Sequence, residues 1–229
     1  MNEMTAPTTG DDDVAWGTQA RKEPRWPASL AVLAILVLYG TLPPRYTLGP
    51  AFLIPLVAGA MLVALTILAP HRTHGESTIQ RIGAVALIAI VNVANVVSLG
   101  LLVDHLLHHS TVNGDQLLLS SVQIWLTNIL IFALWYWELD RGGPDERTLP
   151  HHRRPDFLFP QMTTPHCAPG DWSPAFVDYL YLAFTNATAF SPTDTLPLTG
   201  WAKLLMMVQS LASLLTVALV AARAVNILT

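Results

Sequence analysis

The sequence predicts an all-α, polytopic transmembrane helical bundle, and three observations carry that reading. The 229 residues are 52% hydrophobic and only 12% charged, where an ordinary soluble domain carries about 25% charged residues. Mean hydropathy is +0.44. Six apolar stretches divide the chain, and six spans of about 20 residues each would use close to the hydrophobic half of it. A lipid-exposed backbone must satisfy its own hydrogen bonds, so each stretch is read as helix. The same composition argues against a soluble globular enzyme and a disordered chain. A net charge of −4 gives no basic footprint for nucleic acid. The single cysteine, Cys167, excludes an intrachain disulfide and a cysteine-cluster metal site.

Residues 1–26 are polar and read as a disordered cytoplasmic tail. Its acidic run Asp11–Asp13 precedes Arg21, Lys22 and Arg25, the wrong order for a cleavable signal, so the first helix serves as its own targeting signal. Residues 27–137 hold four spans. Pro27–Leu42 is closed by Pro43 and Pro44, and Pro50–Ala69 is bounded by Pro50 and Pro70. Ile82–Val103 has no charge along its length, and Leu117–Trp137 is the fourth. A cytoplasmic loop follows over 138–173. Residues 174–229 form a helix–turn–helix: Pro174–Phe190, shorter and more polar, which either crosses or dips in and returns, and Trp201–Ala222, extending toward Leu228. Trp26, Trp135, Trp137, Trp172 and Trp201 lie near span ends, as an interfacial belt requires.

Lysine and arginine set the orientation. With the N-terminus inside, Arg21, Lys22, Arg25, Arg72, Arg81, Arg141, Arg147, Arg153, Arg154 and Arg223 fall inside, and only Arg45 and Lys203 fall outside, which accounts for all 12. The expected location is a cell's inner membrane with a cytoplasmic N-terminus. Arg153 and Arg154, beside His151 and His152, read as part of a basic inner loop attracted to anionic headgroups. In the same loop, Glu138 and Asp140 are expected to pair with arginines. The cluster Phe157–Phe159 is expected to pack on the bilayer surface or on the bundle.

Polar groups at membrane depth must find partners and are therefore functional candidates. Asn92, Asn95 and Ser98 share one face of the third span. The fourth carries Ser121, Gln123, Thr127 and Asn128, and the sixth carries Gln209, Ser210, Ser213 and Thr216. The densest polar run, Thr185, Asn186, Thr188, Ser191, Thr193 and Asp194, lines either an opening for an ion or small solute or a tight structural hairpin. Helix–helix fastening is the competing reading for all of these groups. His105, His108 and His109 have helical i, i+3, i+4 spacing beside Asp104, which suits two imidazole metal ligands or a wet helix end. No catalytic constellation, phosphate loop or zinc-protease signature stands out. The expectation is a protein that is not an enzyme, needs no cofactor, and partners the lipid bilayer and further copies of itself.

Residues 178–197 read DYLYLAFTNATAFSPTDTLP. This segment resembles the pore helix and filter of the two-helix potassium-channel module, whose pattern runs Y-F-S-F-V-T-x-T-T-V-G-Y-G-D-x-x-P. Tyr181, Phe184, Thr188, Asp194 and Pro197 match in register. Where the family has T-V-G-Y-G, this chain has Ala189–Thr193, and both glycines are gone. Filter glycines let successive carbonyls turn toward an ion, and Pro192 fixes its own φ and restricts its neighbour. The resemblance thus implies a channel-like outline without a competent potassium filter. The stretch 120–229 also resembles a family of uncharacterised bacterial integral membrane proteins, through Trp135–Pro144, Asp156–Pro160 and Phe184–Pro197. These features together point to a channel-like or transport-related membrane protein, or to a structural or accessory membrane subunit that conducts nothing itself.

Overall fold

The computed structural model describes residues 23–68, 78–108, 114–149, 153–164, 172–188 and 194–228. Its helices are α1 (Trp26–Gly40), α2 (Leu53–Leu68), α3 (Thr78–His108), α4 (Gly114–Leu139), α5 (Pro160–Thr163), α6 (Phe176–Thr188) and α7 (Gly200–Leu228). Short 3-10 turns cover Pro44–Tyr46, Asp140–Gly142 and Glu146–Thr148. Two-residue strands β1 (Phe157–Leu158) and β2 (Leu196–Pro197) pair antiparallel, Phe157 opposite Pro197 and Leu158 opposite Leu196. All-α describes the chain, with α4 as the hub packed against α1, α3, α6 and α7.

Among the described residues three helices are long and apolar enough to cross a membrane: α3, α4 and α7. α1 and α2 are apolar but have 15 and 16 residues. The expected fifth span yields α6, whose 13 residues reach roughly 20 Å at 1.5 Å per residue, short of a hydrocarbon core about 30 Å thick.

The distribution of polarity is that of a membrane bundle, with the buried faces more polar than the exposed ones. On α7, Gln209, Ser213 and Thr216 are buried, whereas Leu204, Met207, Val208, Leu211 and Leu214 are exposed. On α4, Ser120, Ser121, Thr127 and Asn128 are buried, while Leu118, Leu119 and Val122 are exposed. Water would reverse that arrangement, because exposing apolar area costs about 25 cal/mol per Å². Lipid tails are as apolar as leucine and favour it.

The helix ends gather at two poles. At one, the loop pole, Arg25 ahead of α1 pairs with Asp145 at 3.3 Å. There Glu23 accepts from the Trp137 indole N–H at 2.8 Å and from the Phe176 backbone N–H at 2.6 Å, joining the starts of α1 and α6 to the end of α4. α7 also starts at this pole, since the Trp201 indole N–H donates to Asp156 at 2.9 Å and β2 pairs with β1. At the far pole Gln123 donates to Thr41 at 2.9 Å, and Tyr46 packs edge-on against His105 with ring centroids 5.4 Å apart. Leu219, near the end of α7, joins Tyr39, Leu42 and Leu102 in that core. This corrects two placements made from the sequence. Arg223, expected on the side of Arg25, follows Leu219 on α7 toward the far pole. Lys203, expected opposite Arg25, lies on the first turn of α7 at the loop pole, the pole that also holds Arg25, Arg81, Arg147, Arg153 and Arg154.

Candidate functional site

The polar side chains of α4, α6 and α7 converge on Gln209, which is fully buried. Its Oε1 accepts from the Tyr136 hydroxyl at 2.6 Å and from Asn186 Nδ2 at 2.8 Å. Its Nε2 donates to the Ala183 carbonyl at 2.7 Å. Asn186 Nδ2 also donates to the Met206 carbonyl at 3.0 Å, and Asn186 Oδ1 accepts from the Ser210 hydroxyl at 3.0 Å. One turn deeper, Asn128 Nδ2 donates to Ser213 Oγ at 2.9 Å and to the Gln209 carbonyl at 3.4 Å. Three helices are thus fastened through side-chain amides that reach one another and the backbone. Asn186 turns into the bundle and spends its amide there. Thr185 donates to the carbonyls of Tyr181 and Leu182, and Thr188 to that of Thr185, so both satisfy themselves on their own helix. Asp194 is exposed just before β2. Ser191 and Thr193 lie outside the described residues.

A second polar cluster holds the loop pole. Asp140 Oδ2 accepts from the Tyr179 hydroxyl at 2.6 Å, and Asp140 Oδ1 accepts from the Asp156 backbone N–H at 2.8 Å. Asp156 Oδ2 accepts from the Arg141 backbone N–H at 2.9 Å. Arg147, 1% exposed, donates to the carbonyls of Trp137 at 2.7 Å and Asp140 at 3.2 Å. Its guanidinium stacks over the Tyr179 and Trp137 rings. The expected pairing of Asp140 with Arg141 is present at 3.8 Å. Phe157 and Phe159 pack on the bundle, against Tyr136, Trp201, Trp172 and Tyr179. The chain reverses sharply after α4. Arg141 takes φ +53°, and Gly143 takes φ +107° with its Cα side against the Glu138 carbonyl, where a Cβ would sit at 3.0 Å.

Open space lies elsewhere, between α3, α4, α7 and the loop. A cleft of about 560 Å³ is lined by Arg81 and Asn92 of α3, Trp135 and Leu139 of α4, Trp201 and Leu205 of α7, and Gly142, Arg153, Arg154 and Asp156 of the loop. Asn92 is the one member of the polar face of α3 in that lining. Asn95 and Ser98 are buried deeper, and Asn95 Oδ1 and Ser98 Oγ have no hydrogen-bond partner.

At the far pole, His105 Nδ1 lies 3.1 Å from the Leu101 carbonyl. His108 Nδ1 lies 3.0 Å from Asp104 Oδ1. Among the described residues no group of three His, Cys, Asp or Glu side chains is arranged to hold a metal ion, and His109 lies outside them. The sequence reading missed Tyr136, the Asp140–Asp156 exchange and Arg147. All but Arg147 sit inside the phrases Trp135–Pro144 and Asp156–Pro160 that carry the family resemblance, and that was the available signal.

Compared with protein-family models, with curated proteins and with solved structures, the chain matches none.

Proposed function

We propose that this chain is a membrane-embedded protein of channel-like or transport-related build. In this reading α6 is a re-entrant helix, α4 its outer support and α7 its inner support. The observation that carries it is the shared starting pole of α6 and α7. α6 begins beside Trp137 and Asp140 and descends until Phe184 meets the Trp125 ring, twelve residues or roughly 18 Å down α4. Yet Leu196, eight residues after Thr188, is paired with Leu158 at the loop pole. Eight extended residues reach at most roughly 29 Å, enough for a direct return. A short helix and a long helix that start at the same pole match the outline of the pore module, although that module is entered from the outer side and this pole carries the arginines.

Asn186 is committed to the bundle, so an opening is formed between copies of the chain. The exposed Tyr181, Phe184 and α7 side chains supply that contact, and Ser191, Thr193 and Asp194 are the residues proposed to line the path. The arginine-rich pole is cytoplasmic by the positive-inside rule. The closed amide network favours a second reading, in which the same unit is a structural or accessory subunit with no conduction of its own.

Reconstitution into liposomes with a panel of cation, anion and small-solute flux assays tests the two. Flux that is altered by substitutions at Ser191 or Thr193, in protein of unchanged stability, supports conduction. Absence of flux for every solute, with Asn186→Ala lowering stability, supports the accessory reading.

A further inference from the structure

The cleft at the loop pole has a chemistry that the amide network does not use. We infer that it seats the phosphodiester headgroup of an anionic phospholipid. Three guanidinium groups from two distant segments, Arg81 and the Arg153–Arg154 pair, meet in one lining. Neither Arg81 nor Arg153 has a hydrogen-bond or ion-pair partner among the described residues. The acid in that lining, Asp156, is already engaged, with Oδ2 accepting the Arg141 backbone N–H and Oδ1 accepting the Trp201 indole N–H. The cleft therefore presents excess positive charge in the planar, multi-donor form that matches phosphate oxygens. Trp135, also in the lining, has an indole N–H that is buried without a partner.

The remaining lining argues for a lipid over a free phosphate. Trp135, Trp201, Leu139 and Leu205 give the cleft an apolar wall, and indoles at this level are characteristic of the bilayer interface. Arg81 to Asn92 is eleven residues of α3, roughly 16 Å of depth, and polarity falls along it from guanidinium to amide. Beside the cleft, Ile82 of α3 and Leu204, Met207 and Val208 of α7 are exposed and apolar. A bound lipid's chains would leave the cleft onto a surface that already faces hydrocarbon. The inference holds whether or not the bundle conducts.

Native mass spectrometry of the full chain in detergent, with equimolar phosphatidylglycerol and phosphatidylcholine, tests it. The wild type is expected to carry phosphatidylglycerol in about 25-fold preference, with a loss of about fivefold for each arginine removed. Arg81→Gln with Arg153→Gln should bring the two lipids to parity, whereas Arg81→Lys with Arg153→Lys should keep part of the preference, because the charge remains and the fork is lost. Arg153 is exposed, so Arg153→Gln alone tests the site without threatening the fold and should show the single-arginine loss. Parity in the wild type overturns the inference, as does full preference retained in Arg153→Gln and in the double glutamine variant. Excess inorganic phosphate that binds through the same arginines, with no preference between the lipids, overturns the lipid assignment in favour of a free anion.

Discussion

Gln209→Leu is the substitution that most directly tests the fastening of α4, α6 and α7. Leucine keeps the bulk of the side chain and removes three hydrogen bonds, to Tyr136, Asn186 and the Ala183 carbonyl. Interhelical hydrogen bonds in membranes average about 0.6 kcal/mol, so their direct loss is about 2 kcal/mol. The Tyr136 hydroxyl is fully buried and loses its acceptor, and a stranded buried donor adds about 1–3 kcal/mol. The expected destabilisation is about 3–5 kcal/mol, read as a shift in unfolding free energy on titration with a denaturing detergent. The stranded hydroxyl can be isolated. Adding Tyr136→Phe to Gln209→Leu should recover about 1 kcal/mol or more, although Tyr136→Phe alone destabilises the wild type. A Gln209→Leu protein within about 0.5 kcal/mol of wild type, or strict additivity of the two substitutions, would refute the network as the fastener.

Other outcomes follow from the loop pole. Asp140→Ala leaves the buried Tyr179 hydroxyl and the Asp156 backbone N–H without their acceptor and removes the carboxylate charge near Arg147 and Arg141, and should cost about 3–5 kcal/mol, visible as loss of folded protein in fluorescence-detected gel filtration; Tyr179→Phe removes one hydroxyl bond and should cost about 1 kcal/mol. Gly143→Ala forces a methyl against the Glu138 carbonyl at φ +107°, so melting should fall by the equivalent of about 1–3 kcal/mol, while Gly100→Ala, with open space around it, should be neutral or mildly stabilising. Cysteines placed singly at Arg153 and Asp194 in a Cys167→Ser background should react with an impermeant maleimide from the same side of the membrane; labelling from opposite sides would sink the re-entrant reading of α6.

Much of the helical layout was legible because each span is a long apolar run bounded by proline or charge. Pro27–Leu42 became Trp26–Gly40, and Leu117–Trp137 became Gly114–Leu139. The third span ran longer than its apolar core, Thr78–His108 against Ile82–Val103, because a helix continues through polar residues that hydropathy discounts. The polar faces of α4 and α7 were also readable, since Asn128 and Gln209 stand out among leucines. What they bond to was not readable, because hydropathy carries no information on which helices are neighbours. Tyr136 looked like one more interfacial aromatic, yet its hydroxyl is the donor to Gln209. Lys203 was misplaced for a similar reason: counting charges places each end by assuming that every apolar stretch crosses, whereas α6 and α7 start at the same pole. The Asp140–Asp156 exchange spans a loop whose partners are sixteen residues apart, beyond any helical or strand periodicity.

The two-residue ladder of β1 and β2 is small, but it ties together parts of the chain that the sequence keeps apart. Leu198 donates its backbone N–H to the Asp156 carbonyl at 2.8 Å, and Trp201 reaches the carboxylate of the same residue. The first turn of α7 is therefore latched to the segment carrying Arg153 and Arg154. A pull on that segment from the aqueous side is transmitted to the root of α7, and any tilt of α7 drags the arginines with it.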